Sequence, residues 1–186
     1  MSCTSENEDS KSKTEVVTPP PMTELSNLEK GTLVVGATFA SLSVKLRQAM
    51  SQGGVPNAVE YCNSAALPIV DSLSKEYNAK IRRTSLKIRN PANDPTEAEQ
   101  EVLNNYARMA LANQQLSPML IENEKGDSVF YAPIKVGALC LKCHGIPGKT
   151  LAMEDLATIH SFYPGDAAIG YKEGDFRGIW SIELLE

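Results

Sequence analysis

Long apolar runs are missing from this chain. No stretch approaches the roughly 20 residues needed to cross a bilayer, so the sequence predicts no membrane span. A basic excess is missing too: 18 Lys and Arg stand against 23 Asp and Glu, a net charge of -5. Without surplus cations to neutralise phosphates, nucleic acid is a poor partner. Cysteine and histidine are scarce, at four and two residues, so their placement is informative.

What is present suits one ordinary globular domain: 186 residues, 42% apolar and 22% charged, enough for a core of its own. Residues 1–26, "MSCTSENEDSKSKTEVVTPPPMTELS", stand apart. They hold almost no large apolar side chain and read as a disordered tether, since burial cannot offset the entropy of ordering. Cys3 followed by a polar, Ser-rich spacer resembles the mature start of a bacterial lipoprotein, with a lipid anchor on that thiol. The plain alternative is a stray thiol on a polar end. Residues 27–186 are expected to form a single domain.

Within it, Phe39, Leu42, Leu46 and Met50 recur at helical spacing. Gly53-Gly54 should end that helix, and Pro56 can start another. In the second helix, Val59, Cys62, Ala66, Ile69 and Leu73 make one stripe, which turns Cys62 inward; Pro68 should kink it or mark a boundary. "AKIRRTSLKIR" (79–89) changes period and reads as a strand, with Arg82 and Arg83 on opposite faces. "NPANDP" breaks it, and residues 96–114 read as a helix with acidic residues in the first turn. Residues 117–136 read as a hairpin turning at Lys125-Gly126-Asp127. A short helix over Met153–His160, a turn-rich loop and a last strand, "FRGIWSIELL", follow. Helices, strand, helix, hairpin, linker and strand imply an α+β fold, a small antiparallel sheet with helices packed on it.

Three of the scarce residues fall within five positions. Cys140-Leu141-Lys142-Cys143-His144 matches the C-x-x-C-H signature of covalent haem attachment. Two thiols must reach two vinyl groups on one porphyrin edge, and the next residue must send a neutral imidazole to the iron, making His144 the proximal ligand. A zinc site would want a second pair of ligands, and no second C-x-x-C exists. A thioredoxin-like pair would open a helix in a βαβ unit, which "GIPG" after the motif argues against. The motif therefore predicts one covalently attached haem c. Covalent attachment takes place outside the bacterial inner membrane, which together with the lipoprotein-like start places the protein in the periplasm or at the outer cell surface.

The position opposite His144 has several contenders. His160 lies sixteen residues on; Met22, Met50, Met109, Met119 and Met153 are thioethers; Cys62 is the remaining thiol outside the tail. Inward Met and Cys more often fill a core than bind iron. Either Arg82 or Arg83 could meet a haem propionate, for which the guanidinium fork is suited; a solvated edge strand is the plainer explanation. Asp166, Glu173 and Asp175 fit no calcium loop.

"YCN" in an early helix, "RRTSLKIRNPANDP", the C-x-x-C-H and "YPGDAAIGYKEGDFRGIWS" together resemble one family, the bacterial single-haem c-type domains with a PAS-like fold. The likeness runs from Leu28 to Leu185. It implies a PAS-like sheet and an iron held by the motif histidine and a cysteine of the early helix, here His144 and Cys62.

A thiolate ligand favours Fe(III) and weakens on reduction. The sequence therefore supports an electron carrier with an unknown redox partner protein. The alternative is a redox or small-ligand sensor whose released Cys62 opens a site for CO or NO. A peroxidase-like enzyme stands well behind, since only His160 is left as an acid or base; the expectation is a non-enzyme.

Overall fold

In the computed structural model, residues 21–185 are described; Cys3 and residues 1–20 of the expected tether lie outside them. Just before the first helix, Met22 packs against the core.

Helix α1 (Asn27–Ser64) opens with a reciprocal cap. The Ser26 hydroxyl accepts from the Glu29 backbone N–H, and the Glu29 carboxylate accepts from the Ser26 N–H at 2.9 Å, satisfying two otherwise orphaned donors. The helix is broken at Gly53-Gly54. Gly54 sits at φ 67, a left-handed conformation that glycine adopts without steric cost. Pro56 follows in the first turn of the second limb, where its missing N–H costs nothing. Helix α2 (Ala66–Glu76) follows after a break at Ala65. The break lies where Pro68 demands it, because its ring would clash with the carbonyl of Ser64, four residues back.

Strands β1 (Ala79–Thr84), β2 (Met119–Glu122), β3 (Ser128–Lys135) and β4 (Phe176–Leu184) form a four-stranded sheet in the order β1-β4-β3-β2, antiparallel throughout. The expected hairpin is β2–β3. The Asn123 side chain stabilises its turn by accepting from the N–H groups of Lys125 and Asp127, both at 2.9 Å.

Alternation along the strands serves both faces. Ala79, Ile81, Phe130, Ala132, Trp180 and Ile182 meet Val34, Leu42 and Ala66 of α1 and α2. Here α1 crosses so close that a Cβ on Gly31 would collide with Phe130. On the other face, Val129, Tyr131 and Ile179 meet Val102, Leu103 and Tyr106 of α3 (Glu97–Leu111). A third cluster lies beyond the sheet, where Val55 and Val59 of α1's second limb pack on Leu151 and on Leu156, Ile159 and Tyr163 in and beside α5 (Met153–Phe162).

The strand expected over 79–89 stops at Thr84. Beyond it the chain turns its polar groups on neighbouring segments instead of a ladder. The Ser85 hydroxyl donates to the Arg177 carbonyl at 2.6 Å, and Ile88 O accepts from Ala167 N–H at 3.0 Å. Residues 85–89 thus form a strap that ties down the loop after α5.

Candidate functional site

The C-x-x-C-H segment is wound tightly. A single 3-10 turn (Ala138–Cys140) runs into α4 (Leu141–His144), which ends at Gly145. A Cβ on Gly145 would collide with the Thr150 hydroxyl and the Leu141 carbonyl, so the chain can leave the histidine along this path only as glycine. The Thr150 hydroxyl also accepts from Ile146 N–H at 2.8 Å.

The His144 ring is held on one side. Its Nδ1 lies 2.6 Å from the carbonyl oxygen of Ala168, a contact that requires Nδ1 to donate. Nε2 therefore keeps a free lone pair. Burial, reinforced by the charges of Arg89 and Arg177, holds the imidazole well below the usual histidine range, so the ring is neutral at pH 7, the form that binds metals. The loop that supplies Ala168 is clamped to the motif by two further bonds, Tyr171 N–H to His144 O at 3.0 Å and Gly170 N–H to Gly145 O at 2.8 Å.

Cys140 is exposed and Cys143 half-buried, packed with Met50 and Ile169 on the third cluster. Burial pushes the Cys143 thiol up to about 11, against the opposing pull of Arg89. Cys62, near the end of α1, is exposed rather than packed inward as the helical stripe predicts. It lies where the chain passes from the third cluster at Val59 to the sheet core at Ala66. Its thiol is nonetheless pushed up by surrounding atoms, while Arg83 and Arg89 pull it back. Val55 and Val59 of the same limb share the third cluster with Cys143, so the fold brings the early helix to the motif.

Arg83 and Arg82 part company. Arg83 extends on the α1/α2 face, 5.3 Å over the Trp180 ring; burial lowers its affinity for its proton, and Cys62 and Tyr61 restore part of it. It makes no ion pair or hydrogen bond among the described residues. Arg82 points to the opposite face, where Nε donates to the buried Glu99 carboxylate at 3.1 Å and Nη2 to Asp94 O at 2.8 Å. Arg82 is thus held away from the face that carries Arg83.

Arg89 belongs to the site although nothing in its spacing marks it. Its Nη2 donates to Cys143 O at 2.6 Å and to Asp166 Oδ2 at 2.9 Å, and its Nε is buried without a partner. Its place at the end of an apparent strand masked it. Only its adjacency to the "NPAN" turn could have hinted that the side chain was free to reach elsewhere. Asp166, set aside as a calcium ligand, is the partner of Arg89. Tyr61 carries a second buried, unpartnered polar atom in its hydroxyl.

The other contenders for the iron are dispersed. His160 is exposed on α5. Met109 and Met119 pack on the α3 side of the sheet, Met22 on the other face, and Met153 is 57% exposed. Only Met50 shares the third cluster with Cys143.

A porphyrin is a flat apolar ring with two carboxylates at one edge, and the residues fit one. The third cluster offers an apolar wall. Arg83, Arg89 and Arg177 all bear on His144 electrostatically, yet among the described residues Asp166 is the one carboxylate ion-paired with any of them. The unpartnered Arg89 Nε and the unpaired Arg83 guanidinium are the groups that carboxylates would satisfy. No cluster of three or more His, Cys, Asp or Glu side chains among the described residues is arranged to hold a metal by itself. Two open concavities, of about 390 and 410 Å³, lie elsewhere, one beside Ser74 and Lys80 and one in the bend of α1.

Fold and site thus define an α+β protein with a four-stranded antiparallel sheet, in which a C-x-x-C-H turn is clamped by the loop after α5 and by Arg89. The chain belongs to the Tll0287-like family, described as Tll0287, which matches residues 8–184. It is also similar to the solved structure of the cyanobacterial heme-protein Tll0287, with 23% identity and a TM-score of 0.59 over 87% of this chain and 98% of that one. No curated protein matches it. Among the described residues, no helix is long and apolar enough to cross a membrane.

Proposed function

We propose that this protein is an electron-carrying c-type haem protein of the periplasm or outer cell surface, with one haem c attached through Cys140 and Cys143. Each thiol adds across one vinyl group, sulfur to one carbon and hydrogen to the other, with no atom lost. His144 and Cys62 would hold the iron, and a bound haem would supply a one-electron Fe(III)/Fe(II) couple. The single observation that carries this reading is His144. Its Nδ1–H is engaged by Ala168 O, its Nε2 is free, and its ring is neutral, directly beside two thiols at the attachment spacing. The similarity to a cyanobacterial heme-protein supports it.

Arg83 and Arg89 receive the propionates in this reading, in place of Arg82. Their charges also favour the Cys62 thiolate. The antiparallel sheet with helices on both faces supports the PAS-like reading of residues 27–186, with residues 1–26 as a tether and Cys3 as a lipid anchor. The redox partner is a protein of that compartment.

Expression beside the haem-attachment machinery tests the reading. The purified protein should be red and heavier than its polypeptide by one haem that survives denaturation, and the Cys140→Ala/Cys143→Ala variant should lose the covalent pigment. A colourless protein of bare polypeptide mass rejects it.

One observation favours the sensor as a second reading. Cys62 is exposed near the end of α1, so a small ligand could reach the position it would leave once reduction weakens its bond to iron. CO binding to the reduced protein with loss of the thiolate spectrum favours that reading; unchanged ligation on reduction favours the carrier. A peroxidase has less support, since His160 is exposed on α5.

A further inference from the structure

Asp166 is fully buried at its side chain and uses both oxygens. Oδ2 accepts from Arg89 Nη2 at 2.9 Å, and Oδ1 accepts from the Ala168 N–H at 2.8 Å. Ala168, itself buried, turns its carbonyl to His144 Nδ1 at 2.6 Å. Arg89 closes the circuit by donating to Cys143 O at 2.6 Å. One buried ion pair therefore grips the motif at two adjacent residues, the backbone of Cys143 and the ring of His144.

A neutral Asn or Ser could accept the Ala168 N–H as well as an aspartate does. Burying a full charge is costly unless it is paired. What the aspartate adds is the lock on Arg89, and through Arg89 the lock on Cys143. The Asp166 N–H also donates to Tyr163 O and Ala167 N–H to Ile88 O, both at 3.0 Å, so the loop is anchored on both sides of the carboxylate.

We propose that Asp166 is the positioning residue for His144, fixing the Ala168 carbonyl that sets the imidazole's tautomer, orientation and strength as a donor. The inference rests on His144 being the axial ligand of a haem. A histidine whose N–H is held by a well-fixed acceptor is a stronger donor to its metal, and a stronger donor favours the oxidised iron. Asp166 thereby lowers the reduction potential without touching the haem.

The test compares haem-loaded Asp166→Ala and Asp166→Asn with the unaltered protein, by midpoint potential and ferric EPR, with thermal unfolding recorded in parallel. Asp166→Ala removes both bonds and should shift the potential positive and broaden the ferric g-values. Asp166→Asn keeps an acceptor for Ala168 N–H but loses the lock on Arg89, and should shift it less in the same direction. Lower thermal stability with unchanged potential and g-values would mean a merely structural role and overturn the proposal.

Should neither variant mature, the unaltered reduced protein decides by NMR. The His144 ring N–H should exchange slowly with solvent, and rapid exchange overturns the proposal. Pigment in the unaltered protein is checked first: its absence removes the haem reading, whereas pigment with an indifferent Asp166 removes only this inference.

Discussion

Arg83 lies 5.3 Å over the indole ring of Trp180, its partner across the β1–β4 ladder. That contact parks the guanidinium on the sheet face shared with the helix that carries Cys62, while the preceding residue, Arg82, is spent on Glu99 at the other face. Two identical side chains, adjacent in sequence, are thereby given different work by the two-residue repeat of a strand.

The pair can be separated experimentally. Haem-loaded Arg83→Gln should show a lower midpoint potential, because removing a cation near the iron favours the ferric state. Arg82→Gln should leave the spectrum and potential unchanged and destabilise the fold by about 1–2 kcal/mol, since it strips a buried carboxylate of its charged donor. Redox titration and urea unfolding of both variants check the contrast.

Cys62→Ala should abolish the low-spin ferric signal of a thiolate-ligated haem while leaving covalent attachment intact. EPR of the oxidised variant reads this directly, and an unchanged low-spin signal rejects Cys62 as the ligand.

Gly145→Ala should reduce the yield of covalently bound pigment. The added Cβ collides with a backbone carbonyl as well as the Thr150 hydroxyl, so the strain cannot be relieved by turning one side chain. A cost of roughly 1–3 kcal/mol is expected from such overpacking. Pigment-to-protein ratio and thermal unfolding measure it.

Alkaline stability should depend on Tyr106. It is completely buried, its hydroxyl donates to Ser117 O at 2.7 Å, and burial pushes it from its ordinary value of 10.0 up to about 12. The unfolded chain releases this proton first, so stability is intact below pH 10 and falls as pH rises toward 12. Tyr106→Phe should cost about 1 kcal/mol at neutral pH through the lost hydrogen bond and flatten that alkaline decline. Urea unfolding at a series of pH values checks both.

Much of the architecture was legible because it rests on local chemistry. The Gly53-Gly54 break, the start at Pro56, the β2–β3 turn and the helix beginning after Thr96 all follow from residues whose backbone preferences act within a few positions. The over-long first strand was not legible. Residues 85–89 alternate as a strand does, and only the arrival of Arg177 and Ala167, some eighty to ninety residues away, diverts their polar groups into a strap. The outward side of Cys62 is not legible either: Val59 and Ala66 of its stripe are buried as the spacing predicts, but only tertiary packing decides which members of a stripe are covered.

The sequence by itself determined the chemistry available: two thiols and an imidazole at a spacing that local backbone geometry can satisfy, and an alternation that sends Arg82 and Arg83 to opposite faces. Only the tertiary structure decided which distant groups surround them. Nothing within a few residues of His144 says that Ala168 will take its ring N–H, that Asp166 will hold Ala168, or that Arg89 will grip both Asp166 and Cys143. The bonds His144–Ala168, Arg89–Cys143 and Arg89–Asp166 span 24, 54 and 77 positions along the chain. They exist because the strap and the loop are packed together around one buried charge.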